Sequence, residues 1–221
     1  MIKRIILLGC IAAMIACTPT KQSTIDTTLQ TKVDSILQNK MSEIGAISGQ
    51  AIVMEVQTGE IKAMVGNANS QESGLIRTAS LLAALETGKV KLSDMVDVGE
   101  GVYMVHDQEL LDHNWHRGGY GKLTTLQGLM VNSHIANYKN IERAFTEEQA
   151  YFDMLDKMSY GQPESIVGLD TLKTAHFVTP KDSGWSNTAL AWFCIGYNQR
   201  IFPIQMLTFY NAIANDGKMV K

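Results

Sequence analysis

The chain has 221 residues, of which 45% are apolar, 19% are charged and only 4 are proline. That is enough for one sizeable domain with its own core, and it excludes a collagen, a disordered tail and a multi-pass membrane protein. The formal net charge is −3 and no Lys or Arg run occurs beyond the first four residues, so no nucleic-acid-binding surface is expected. No internal repeat or low-complexity tract is present.

Residues 1–16 read as a leader rather than as fold. Lys3 and Arg4 precede the apolar run Ile5 to Ala16, which is shorter than the roughly 20 residues that a bilayer-spanning helix needs. Met14-Ile15-Ala16-Cys17 resembles a bacterial lipobox, with Cys17 the residue that would be acylated; an ordinary cleaved signal with an incidental Cys17 is the alternative. Both imply export, and acylation adds a membrane anchor. Without Lys3 and Arg4 the chain keeps 17 basic and 22 acidic residues. Cys10 goes with the leader and Cys17 lies in the tether, so no disulfide can form inside the domain. Cys194, in the apolar run Ala189 to Ile195, is expected to be a small buried hydrophobe.

Residues 17–48 read as a tether followed by an amphipathic helix over about 24–42, since Ile25, Leu29, Val33, Ile36, Leu37 and Met41 recur at helical spacing and Gly45 and Gly49 stop it. Gln50 to Val56 and Ile61 to Val65, joined by Gln57-Thr58-Gly59-Glu60, predict a β-hairpin. Leu75 to Glu86 predicts a helix stopped by Gly88, and Leu92 to Gly121 an irregular glycine-rich stretch. Thr124-Thr125-Leu126-Gln127 has the form of a capping box opening a helix towards Ala136. A further helix is expected over about 144–158. A last one begins at Pro203 and is closed by Asn215-Asp216-Gly217. The order implies an α/β (α+β) domain with an antiparallel sheet flanked by helices.

Four blocks in this order resemble a penicillin-binding transpeptidase domain, of the serine β-lactamase/transpeptidase superfamily. They are the hairpin Ala51 to Met64 with its Gln57-Thr58-Gly59-Glu60-Ile61 turn, Ala83-Ala84-Leu85-Glu86-Thr87-Gly88, Gly119 to Met130, and the region from Gly196-Tyr197 through Pro203-Ile204-Gln205 to Ala212–Lys218. The resemblance covers residues 49–221. It implies a domain that binds peptidoglycan stem peptides or β-lactams, in which a serine at a helix start forms an acyl-enzyme and a lysine one turn on takes its proton. A Ser-x-Asn pair and a Lys-Thr-Gly strand complete the family's site.

Those elements are altered here. Counting back from Glu86-Thr87-Gly88, the Ser-x-x-Lys positions carry Gly74-Leu75-Ile76-Arg77. Gly74 has no nucleophile, and an arginine does not act as a base at neutral pH. The Ser-x-Asn positions carry Asn132 and His134, and neither pattern occurs elsewhere in the chain. Lys173-Thr174-Ala175 is a near match to Lys-Thr-Gly on the wrong side of Asn215–Lys218, so the terminal strands are expected to be missing. The implied role is a catalytically inactive binding or scaffold module, with envelope proteins as further partners. The alternatives are an active transpeptidase, carboxypeptidase or β-lactamase in another register, and a truncated product.

The remaining candidates have plainer readings. Ser73 and Ser80 lack a base one turn on and read as helix-cap and helix-face residues. Ser133 and His134 are helix neighbours that point about 100° apart, which argues against a triad. His106, His113 and His116 with Asp107 and Asp112 have metal-ligand types but no Cys nearby, so neither a metal nor another cofactor is expected. Trp115 and Tyr120 line a groove or pack. Met54, Met64, Met104 and Met130 read as core filling. Tyr160-Gly161-Gln162 faintly resembles the Tyr-Gly-Asn of oxacillinase-type β-lactamases, or marks a turn.

Overall fold

A computed structural model describes residues 23–66, 73–162 and 175–220. The leader, Cys17 and the pair Lys173-Thr174 lie outside the described residues. The first helix, α1 (Thr27–Ile44), starts where the Asp26 carboxylate accepts the Leu29 N–H at 2.9 Å, and it stops where Gly45 enters the left-handed region at φ 65°. Leu29, Val33, Leu37 and Met41 form its half-buried stripe, while Ile36 is exposed.

That stripe lies on an antiparallel hairpin, β1 (Gln50–Met54) and β2 (Ile61–Gly66). The free edge of β2 is closed by α1 and the residues before it. Thr24 Oγ1 donates to the Ile61 carbonyl at 2.7 Å and the Asp26 N–H to that of Lys62 at 2.9 Å. The Gln30 amide both donates to the Met64 carbonyl and accepts its N–H, each at 2.8 Å. Among the described residues β1 pairs with β2 alone.

Helix α2 (Ile76–Glu86) is the central element. Ile76, Ala79, Ser80, Leu81, Ala83 and Ala84 are all buried, because α3 (Thr125–Met130), α4 (His134–Ala144) and α5 (Glu148–Lys157) pack against it. Its many alanines suit such close approach, and Gly88 at φ 71° follows its C-terminus. The expected capping box at Thr124 is present in full: Thr124 Oγ1 accepts the Gln127 N–H at 3.1 Å and Gln127 Oε1 accepts that of Thr124 at 2.8 Å.

Three expectations are corrected. The stretch 92–121 is not irregular but holds β3 (Met95–Gly99), β4 (Val102–Val105), β5 (Gln108–Leu111) and a 3-10 turn at Trp115–Arg117, with β6 (Gly121–Thr124) after it. β3 pairs antiparallel with β6 and β4 with β5. The helix from Thr124 does not run to Ala136; it breaks where Asn132 adopts φ 59°, and Ser133 caps the new helix α4. Met104 and Met130 are 52% and 75% exposed and do not fill the core, whereas Met54 and Met64 are half-buried.

The C-terminal half supplies the rest of the core. The short β7 (His176–Phe177) pairs with β8 (Gln199–Arg200), and between them lies α6 (Ala189–Phe193). Tyr151, Phe152, Phe193, Phe177, Tyr160 and Phe209 form a chain of ring contacts, the closest being Phe152–Phe193 at 4.7 Å between centroids. Cys194 is fully buried as expected, and burial pushes its thiol pKa up to about 12. Tyr160-Gly161-Gln162 is a turn after α5, held by the Gln205 side chain, which donates to the carbonyls of Gly161 and Gln162. The last helix, α7 (Pro203–Ala214), begins with proline in its first turn and sends Asn211 Nδ2 to the Val56 carbonyl at 3.0 Å, tying the helix to the hairpin.

Candidate functional site

The start of α2 is enclosed by three other segments. Ser73 and Gly74 precede the helix, and Gly196 lies directly over them. A Cβ on Gly196 would come within 2.7 Å of the Gly74 nitrogen and of the Ser73 carbonyl group, and its φ of 121° is one that side chains rarely allow. Gln199 Nε2 donates to the Ser73 carbonyl at 3.1 Å, and Tyr210 of α7 donates its hydroxyl to that of Leu75 at 2.9 Å. The backbone ahead of α2 is thus fixed by residues more than a hundred positions later.

Arg77, in the first turn of α2, folds its guanidinium back over Gly74. A side chain at position 74 would begin 2.6 Å from Arg77 Nη2. The guanidinium is half-buried, and Nη1 donates a long hydrogen bond to the Ile195 carbonyl at 3.5 Å. Burial lowers its pKa; among the described residues the groups that raise it are Cys194, Tyr210 and Tyr197.

His134 opens α4 on the facing side. Its Nδ1 is 2.9 Å from the Leu111 carbonyl oxygen, a hydrogen bond that requires the proton on Nδ1. Burial lowers the His134 pKa first, and the Arg77 charge lowers it further. Asn132, two residues earlier, is exposed in its left-handed turn. Gly74, Arg77 and His134 therefore share one neighbourhood.

Ser133 is not a nucleophile beside His134. Its Oγ accepts the Ala136 N–H at 3.0 Å as the cap of α4 and donates to Asp112 Oδ2 at 2.7 Å. Asp112 is fully buried, and its Oδ1 accepts the Ile135 N–H at 3.1 Å. The carboxylate noticed as a metal-ligand type is instead the anchor that ties the 112–121 loop to α4. Ser80 is buried on the inner face of α2, with its Oγ 2.7 Å from the Tyr151 hydroxyl. Ser73 Oγ accepts the Leu75 N–H at 3.3 Å and also contacts the Met206 sulfur at 3.5 Å. Among the described residues no lysine hydrogen-bonds to Ser73 or Ser80.

Among the described residues no group of three or more His, Cys, Asp or Glu side chains lies close enough together to hold a metal ion. His113 Nε2 instead meets the Tyr120 hydroxyl at 3.0 Å, and Trp115 stands half-exposed beside His116. A pocket of about 10 Å³ behind Arg77, lined in part by Thr125, Ser133, Asn137 and Asn140, has room for roughly one water molecule. Sequence reasoning did not single out Gln199 or Tyr210. Their positions just after Gly196-Tyr197 and on the apolar stripe of α7 carry no local mark of contact with residue 73 or 75.

Comparison with known proteins gives this geometry its context. Residues 49–221 match the penicillin binding protein transpeptidase domain family. The chain is 25% identical over 218 residues to a probable peptidoglycan D,D-transpeptidase PbpC of Pseudomonas aeruginosa, covering 89% of this chain and 37% of that protein. It is 23% identical over 215 residues to the peptidoglycan D,D-transpeptidase FtsI of Escherichia coli K12, covering 87% and 35%. The chain thus spans about a third of the length of these curated relatives. A peptidoglycan glycosyltransferase of Burkholderia ambifaria shares the fold at TM-score 0.78 and 22% identity, over 90% of this chain and 63% of that one. Penicillin-binding protein 3 of Mycobacterium tuberculosis, solved with aztreonam, does so at TM-score 0.73 and 23% identity, over 87% and 46%. Among the described residues no helix is long and apolar enough to cross a membrane. With most of its length matched, the chain belongs to the penicillin-binding protein transpeptidase domain family.

Proposed function

We propose that this chain is a non-enzymatic binding or scaffold module of peptidoglycan synthesis, exported and held by lipid at Cys17 on the periplasmic side of a bacterial membrane. In this reading residues 1–16 are a lipoprotein leader, 17–48 a tether and helix, and 49–221 the transpeptidase-like domain. Gly74, Arg77, Asn132 and His134 stand at the family's motif positions without its chemistry. The setting follows from family membership and from relatives named as peptidoglycan D,D-transpeptidases.

The observation that carries the loss of catalysis is the pair at the start of α2. Acyl transfer needs a nucleophilic side chain and a base able to take its proton. Position 74 offers no nucleophilic atom, and the Arg77 guanidinium lies where a side chain there would start. Arg77 has a lowered pKa yet remains a guanidinium, which holds its proton at neutral pH. The neighbouring serines are engaged with Tyr151, Asp112 and backbone amides.

The test is the intact mass of the purified chain after incubation with a reactive penicillin, with circular dichroism to establish that it is folded. The expected result is an unchanged mass. A single added penicilloyl mass overturns the reading.

A further inference from the structure

Helix α3 is tied to the turn before β3 by two backbone hydrogen bonds, Thr125 N–H to the Asp94 carbonyl at 2.8 Å and Leu126 N–H to that of Leu92 at 3.1 Å. Met95 pairs with Thr124 across the β3–β6 ladder, and Leu126 and Met130 lie one turn apart on α3. Leu92, Met95, Leu126 and Met130 are therefore neighbours, and they are between 44% and 75% exposed. Apolar side chains gathered in water on backbone that is held in place suit a contact surface, and methionine adapts to what covers it.

Beside Met95 this patch runs into a groove of about 190 Å³ whose lining residues all belong to β3 or α4. It has room for a side chain, whereas the pocket behind Arg77 holds about one water. Lys139 and Arg143 stand in its wall. Lys139 Nζ donates to the Asp97 carbonyl at 2.7 Å and lies 4.3 Å from the centre of the Tyr103 ring, and Arg143 Nη1 is 3.2 Å from Asp94 Oδ2. Each of these cations carries further N–H groups. Glu142 turns to Tyr138 instead, accepting its hydroxyl at 3.4 Å. Residues 91–97 and 121–130 with the groove wall of α4 thus hold Lys91, Lys122, Lys139 and Arg143 against Asp94 and Asp97, on a chain that beyond its leader has 17 basic and 22 acidic residues. The local charge is opposite in sign to that of the chain.

We propose that this face docks a protein partner through an acidic amphipathic segment, whose apolar side chains cover Leu92, Met95, Leu126 and Met130 while its carboxylates meet Lys139, Arg143 and the exposed Lys91 and Lys122. Charge complementarity selects the occupant: an apolar patch rimmed by cations favours acidic over basic partners. The proposal goes beyond the loss of catalysis and stands apart from it, since a penicilloyl adduct bears on the start of α2 and not on this face.

The full chain, labelled at its methionine methyls, is titrated with a blocked amphipathic peptide of Leu and Glu at helical spacing and with its Lys-for-Glu counterpart. The Met95 and Met130 methyl resonances are assigned by their loss in Met95→Leu and Met130→Leu, and those of Met54 and Met64 on the β1–β2 hairpin serve as controls. The acidic peptide is expected to shift Met95 and Met130 but not the controls, and to bind at least about tenfold more tightly than the basic one. Lys91→Glu with Lys122→Glu is expected to reverse that preference, a result that loss of folding cannot imitate. Equal binding of the two peptides, or no movement of Met95 and Met130 at millimolar peptide, overturns the proposal; both comparisons use the unaltered protein. Shifts of the same methyls on concentrating the protein alone overturn the assignment to a partner in favour of a second copy, and equal shifts with anionic lipid vesicles overturn the assignment to a protein.

Discussion

The Arg77 guanidinium occupies the space in which a side chain on residue 74 would begin, 2.6 Å from Nη2 and 3.0 Å from Cζ to a Cβ placed there. The two positions are thus coupled: glycine at 74 permits the folded-back arginine, and a larger residue at 74 requires the guanidinium to move. Gly74→Ser is expected to cost about 0.5–1 kcal/mol in the wild-type background, because only the far end of a flexible side chain has to move. In an Arg77→Ala background the same change is expected to cost less. Urea unfolding of the four proteins of this double-mutant cycle measures the difference, and purely additive costs would show that the contact carries no energy.

Restoring Gly74→Ser together with Arg77→Lys is expected to leave the mass unchanged after penicillin treatment. In the register proposed above the second motif position still carries His134, whose Nδ1 is committed to the Leu111 carbonyl. Intact-mass measurement on the double variant checks this, and an adduct would locate the whole catalytic deficit at residues 74 and 77.

His134 gives the site a pH dependence of defined sign. Burial and the Arg77 charge hold its pKa below the ordinary value of 6.5, so between those two pKa values the unfolded chain binds more protons than the folded one. Its contribution to stability is therefore fully present above about pH 6.5 and is lost as the pH falls towards the folded pKa. Thermal unfolding between pH 8 and 5 is expected to show a smaller decline in His134→Asn than in the wild type. NMR titration of the imidazole in Arg77→Gln is expected to show its pKa moving up, since the second-largest depressing influence is gone.

Asp112 shows which parts of the molecule local sequence does and does not reveal. The Thr124–Gln127 box, Gly45, Gly88 and Pro203 act within one helical turn, so their spacing carried the signal and the structure has them in those roles. The strands of 92–121 were obscured because they are four or five residues long and broken by glycines, although Met95 to Gly99 alternates exposed and buried as a half-buried strand should. The break at Asn132 needed its left-handed φ to be known, and Gly196 over Ser73 and Gly74 spans more than a hundred residues of sequence. Asp112 belongs with these: its residue type suggested a ligand, while its partners Ser133 and Ile135 lie on another element. Asp112→Ala, which strands both donors, is expected to cost about 2–3 kcal/mol. Asp112→Asn is expected to cost roughly 1 kcal/mol, because an amide oxygen can still accept one of them. Chemical unfolding midpoints check the order, and equal costs would mean that the negative charge, not the acceptor count, matters.

Gly196 is the position where the smallest change should do the most damage. Its φ of 121° is unfavourable for any residue with a Cβ, and the added atom would come within 2.7 Å of backbone atoms of Ser73 and Gly74 that cannot rotate away. Gly196→Ala is therefore expected to destabilise the fold by about 2 kcal/mol or more. Because the displaced backbone is the segment leading into α2, it is also expected to change the environment of Arg77. Gly217, at φ 78° with open space around its Cβ position, is the control: Gly217→Ala bears the conformational cost without the overlap. Comparing the two unfolding free energies separates strain from collision, and similar losses in both would show that the Gly196 contact with Ser73 and Gly74 is not what fixes the start of α2.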